Sequence, residues 1–169
     1  MSQGSGWGDM WSDWKRAKAG VMEEIKEDRE ELELGMKGLL GKTITAVDRG
    51  FEGHRTEYLR FTTSGGGLLH YELFADCCSE SFVTAIQGLD RLIGQKVKQV
   101  NDVIAADRLE GTKQESDVLY RITLATEKGF CDIEFRNSSN GYYGGGLDAV
   151  SGTQARNVAW TPVTADFSN

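Results

Sequence analysis

The chain has 169 residues, of which 39% are apolar and 27% charged, and a formal net charge of −7. This is enough apolar material for one buried core, and the acidic balance argues against general nucleic-acid binding or adhesion to an anionic membrane, both of which need a basic surface. The longest basic run is Trp14-Lys15-Arg16-Ala17-Lys18, and no apolar run approaches the ~20 residues that span a bilayer.

Residues 1–8 form a Gly- and Ser-rich tail, and residues 9 to about 37 read as one long amphipathic helix. Trp7, Trp11, Trp14, Val21, Ile25 and Leu32 follow a 4-3-7-4-7 spacing, close to a 3.5-residue seam, interrupted by Lys18 and Asp28. Acidic neighbours at i,i+4 (Glu23/Glu27, Glu24/Asp28, Glu27/Glu31) each cost about 0.2–0.5 kcal/mol. Such a helix needs its apolar seam packed on its own domain or on a second copy.

From Lys42 the period shortens. Thr43–Asp48 reads as a strand, and Glu57–Thr63 and Leu68–Phe74 read as a hairpin across Ser64–Gly67. Phe82–Ile86 is a short strand or helical turn, Leu89–Ile93 a turn of helix ending at Gly94, and Lys96–Ile104 a strand followed by a charged loop. Val118–Glu127 and Phe130–Arg136 form a second hairpin, Asn140-Gly141 a tight turn, and Tyr142–Val150 a last strand. Beyond Ser151 the pattern is weak, with Trp160 as its anchor.

The expected fold is α+β, mainly β: a curved antiparallel sheet or partly open barrel preceded by the long helix. The expected divisions are 1–41 (tail and helix), 42–150 (β-rich domain) and 151–169 (C-terminal tail). The first residues carry no basic region leading into an apolar stretch. The three cysteines, Cys77, Cys78 and Cys131, are too few and too unevenly placed for a disulfide framework. A reducing cytoplasm is the expected compartment.

Four stretches carry a resemblance: Gly41-Lys-Thr-Ile-Thr-Ala-Val47; Asp76-Cys77-Cys78 with Glu80-Ser81; Gln114-Glu115-Ser116 leading to Tyr120 and Leu124-Ala125-Thr126; and Ser138-Ser139-Asn140-Gly141-Tyr142-Tyr143. In this order, region 41–150 resembles DUF7448, an uncharacterised domain family of phages and bacteria. Ser79, inserted before Glu80, and Gly144-Gly145-Gly146 depart from that pattern. The resemblance implies a shared fold and a phage-type origin, and no mechanism.

A zinc reading would combine Cys77, Cys78, His70 and Asp76 or Glu80, but adjacent cysteines point apart on a strand and no second Cys/His pair follows, so no metal or cofactor is expected. A cysteine nucleophile would need a base and an orienting group, and only His54 and His70 are present. Residues 137–143 read either as a tight turn flanked by aromatics or as a ligand loop whose hydroxyls, amides and paired tyrosines suit stacking and hydrogen bonding. The Trp-bearing face packs either on the chain's own sheet or on a partner.

The candidate ligand site therefore joins Asp76, Cys77, Glu80 and Ser81 to Ser138, Ser139, Asn140, Tyr142 and Tyr143, and the candidate interaction helix carries Trp7, Trp11, Trp14 and Ile25. The functional expectation is a non-enzymatic, phage-type binding protein in the host cytoplasm. Its partner would be a nucleotide-like small molecule or a host protein, with an anti-defence role and homo-oligomerisation expected. The alternatives are a virion assembly protein and a Cys-dependent enzyme.

Overall fold

The computed structural model describes residues 15–20, 32–53, 56–107 and 114–169. Strands run through Thr43–Glu52 (β1), Thr56–Thr63 (β2), Leu68–Ala75 (β3), Glu80–Gln87 (β4), Gln95–Lys96 (β5), Gln99–Asp107 (β6), Ser116–Thr126 (β7), Gly129–Ser139 (β8), Gly145–Val150 (β9), Ala159–Pro162 (β10) and Phe167–Ser168 (β11). They form two antiparallel sheets curled about a common core, so the molecule is mainly β. The first has the order β10-β1-β2-β3-β9, with β5 also on β1, and the second has the order β11-β4-β8-β7-β6.

Period-two patterning explains the shared core. On β8, Cys131, Ile133 and Phe135 are buried while Asp132, Glu134 and Arg136 are half-exposed. The inward residues of the first sheet (Ile44, Val47, Leu59, Phe61, Tyr71, Leu73) meet those of the second (Val83, Ile86, Ile122, Leu124) in one cluster. Each such aliphatic or aromatic side chain contributes about 1.5–3 kcal/mol by leaving water. Phe61 and Tyr71 meet edge to face with centroids 5.6 Å apart, and Tyr120 stacks on Phe135 at 4.9 Å. A smaller cluster on the outer face of the first sheet joins Tyr58, Val150, Ala155 and Val158 with Trp160.

The N-terminal expectation is met only in fragments. Residues 15–20 are helical and exposed, residues 32–34 are helical, and Gly35–Leu39 tightens to a 3₁₀ turn. Met36 and Leu39 are buried in the core, and the Tyr71 hydroxyl donates to the Gly35 carbonyl at 3.3 Å. The described helices are short and do not establish a single long one; Trp7, Trp11, Trp14 and Ile25 lie outside the described residues.

Three further elements differ from the sequence reading. The strand expected over 96–104 is two strands, because the chain changes sheets in the middle. The Val97 N–H donates to the Lys42 carbonyl at 2.9 Å, and the next N–H, of Lys98, donates to Ala125 at 2.8 Å. The strand after Asn140-Gly141 begins at Gly145 and pairs with β3 rather than folding back on β8. Residues 151–169, read as a tail, supply β10 to the first sheet and β11 to the second. Among the described residues no helix is long and apolar enough to cross a membrane.

A candidate site where two sheet crossings meet

The chain passes from one sheet to the other twice at the same end of the molecule. It leaves β3 through a turn at residues 76–79 and enters β4. It later leaves β8 through residues 140–144 and enters β9, beside β3. This topology brings the two polar segments together. Glu80 lies opposite Ser138 and Ser81 opposite Asn137.

Hydrogen bonds lock the two crossings to each other. The Asp76 N–H donates to the Gly144 carbonyl at 3.0 Å, and the Gly144 N–H donates back to Asp76 Oδ2 at 3.0 Å. Ser79 Oγ donates to the same Gly144 carbonyl at 2.8 Å. Beneath them, Asn137 Nδ2 donates to Ser81 Oγ at 3.0 Å, and Ser81 Oγ donates to the Phe74 carbonyl at 2.8 Å. A Cβ on Gly145 would lie 2.3 Å from both Asn137 Nδ2 and Ser81 Oγ. Glycine is therefore required there by close approach, and the Gly144–Gly146 run leads into β9. The outer loop is self-supported too: Ser139 Oγ accepts from Gly141 N–H and Asn140 Oδ1 from Tyr142 N–H, each at 3.0 Å, with Gly141 at φ +83°.

The expected site residues divide into two groups. Ser81, Ser138 and Ser139 are buried, and hydrogen bonds within the fold occupy Ser81 and Ser139. Asp76, Cys77, Glu80, Asn140 and Tyr142 are exposed and Tyr143 is half-exposed, with Tyr142 at 90% exposure. The Tyr142 and Tyr143 rings meet edge to face at 5.9 Å. The surface they form projects into solvent. Two clefts on the described surface lie elsewhere: one beside His70, Leu68 and Ser151, the other beside Asp90, Asp132 and Asp166.

Two titratable groups of the site, Cys78 and Tyr143, have their pKa raised. Cys78 is pushed above the ordinary thiol value by its hydrogen bond with Cys77 and then by that thiol's charge. Tyr143 lies against Cys77 and is raised by the same two effects. The arrangement places hydroxyl and thiol groups beside the exposed Asp76 and Glu80. Among the described residues no group of three His, Cys, Asp or Glu side chains could hold a metal ion. His70 sits on the outer face of the first sheet, against Trp160 at 5.7 Å, and burial, then the charge of Arg60, holds its pKa below the ordinary value. His54 lies outside the described residues.

Asn137, Phe74 and Gly145 are the supports that the sequence reading did not assign to the site. The alternation of β8 was a usable signal for Asn137, which continues the inward series Cys131, Ile133, Phe135. Nothing local marks the Phe74 carbonyl or the close approach at Gly145.

Comparison with known proteins agrees with this frame. A family model described as a domain of unknown function, DUF7448, matches residues 37–149. An uncharacterized protein of Acanthamoeba polyphaga mimivirus is 36% identical over 78 residues, covering 44% of this chain and 61% of that protein. The match therefore spans less than two thirds of the viral relative's length. No solved structure matches the chain. The family match runs from the 3₁₀ turn through both sheet crossings to the end of β9, and the chain belongs to the DUF7448 family.

Proposed function

We propose that this chain is a non-enzymatic binding protein of viral type that uses the paired crossing to grip a host protein inside the infected cell. One observation carries the reading: an exposed Tyr142 and Asn140 stand on a loop whose backbone is already tied down, so little ordering entropy is lost on contact. Exposed tyrosine on a rigid support is a common anchor of protein interfaces. The projecting shape favours a protein partner over a nucleotide-like ligand, which needs an enclosing pocket. The viral relative supports the setting, and an anti-defence role in the host cytoplasm is the corresponding biological proposal.

The test places a photo-crosslinking residue at Tyr142 and, separately, at Phe130, which is exposed at the opposite end of β8. A discrete host adduct at position 142 and none at 130 is expected. Equal labelling at both positions would remove the proposal. A thermal shift with a nucleotide panel that depends on Tyr142 would favour the small-molecule version instead.

A further inference from the structure

The adjacent cysteines do not behave as strand residues. They occupy the two central positions of the β-turn closed by the Ser79 N–H bond to the Asp76 carbonyl at 2.9 Å. In a strand successive side chains point to opposite faces. In this turn the two thiols converge instead, with Cys77 Sγ and Cys78 Sγ 3.6 Å apart and both residues exposed. Cys131, by contrast, is fully buried, and burial first, then nearby carboxylates, push its thiol up to about 12.

We infer that Cys77 and Cys78 form a vicinal dithiol, a reversible redox-modification site that closes to an intramolecular disulfide on exchange with a low-molecular-weight disulfide. One sulfur, as thiolate, attacks the reagent disulfide, giving a mixed disulfide and releasing one thiol. The neighbouring sulfur, already in contact, attacks the protein-bound sulfur and expels the second thiol. Two protein thiols are oxidised and one reagent disulfide is reduced to two thiols, so electrons and protons balance. The ring spans a single trans peptide, whose Cα separation of about 3.8 Å is shorter than disulfides favour. A strained ring of this kind is easily reduced again, as regulatory disulfides are. Closing it disturbs the contact between Cys77 and Tyr143, which carries the redox state of the turn to the aromatic loop.

The experiment treats the native full chain with oxidised glutathione and reads intact mass and a peptide map. The wild-type product is expected to lose two hydrogens, to retain no glutathione, and to resist alkylation at Cys77 and Cys78 while Cys131 stays a free thiol. Cys77→Ser and Cys78→Ser should each stop at a single glutathione adduct on the remaining exposed cysteine. A wild-type product that keeps glutathione at either position, or that is cross-linked to a second copy, would overturn the inference. The outcome does not depend on any protein partner, so it can fail while the binding proposal stands, and the reverse.

Discussion

Ser81 shows how much of this end of the molecule depends on single polar atoms. Its hydroxyl both accepts from Asn137 and donates to the Phe74 carbonyl inside the fold. Ser81→Ala leaves both partners short, and an unsatisfied buried group costs about 1–3 kcal/mol. Urea denaturation should show a loss in that range, and the Ser81→Ala/Asn137→Ala pair should cost less than the sum of the singles. Gly145→Ala is expected to lose about 1–3 kcal/mol by the same measurement, because its Cβ would also lie 2.6 Å from the Phe74 carbonyl. His70 gives a pH signature. Its folded pKa is lowered, so the native state binds fewer protons than the unfolded chain. Its contribution is intact above the ordinary histidine value, near pH 6.5, and is lost as pH falls from there through the lowered value. Urea midpoints measured across that window should fall more steeply for the wild type than for His70→Phe; parallel curves would refute this assignment.

The elements are joined by contacts far apart in the chain. The helical turn Leu89–Leu92 has no cap of its own, and Gly88 precedes it at φ +82°. Asp166, just before β11, supplies the cap: its two carboxylate oxygens accept from the Gly88 and Leu89 N–H groups at 2.8 Å each. Those two bonds hold its pKa below the ordinary carboxylate value. Asp166→Ala should cost about 0.5–1 kcal/mol, at the low end for a cap because the group is solvent-exposed. The same substitution should make the Gly88 and Leu89 amides exchange faster in hydrogen-exchange measurements. Glu57 plays a comparable part between sheets. It is buried, accepts from the Val83 N–H of β4 at 2.8 Å, and pairs with Arg49 of β1 at 2.5 Å. Burial nonetheless raises its pKa above the ordinary value, because desolvation outweighs both partners.

Across the whole molecule, the C-terminal strands close both sheets. Trp160 lies over the Arg60 guanidinium at 4.5 Å, and Phe167 over that of Arg49 at 4.5 Å. Ending the chain at residue 158 removes β10, β11 and both cation–π contacts at once. A loss of at least about 4 kcal/mol is expected, equivalent to roughly 8–16 °C in melting temperature. Thermal unfolding followed by circular dichroism would check it, and an unchanged midpoint would show that the two strands contribute nothing to the fold.

Period-two runs of Ile, Leu, Phe and Tyr determined by themselves that the body is antiparallel β, and the glycine turn 64–67 made the β2–β3 hairpin legible, because both signals act between near neighbours. The chemical character of the site was equally local: polar turns, a cysteine pair and two tyrosines. Which strands distant in the chain become partners was decided only in three dimensions. Val97 and Lys98 carry no local mark of a sheet change, β9 joins β3 across some 70 residues, and the C-terminal strands reach back to β1 and β4. Such pairings are selected by burying one common core from both sheets. That long-range free energy also placed Cys77 and Cys78 in a turn, where strand alternation no longer separates their sulfurs.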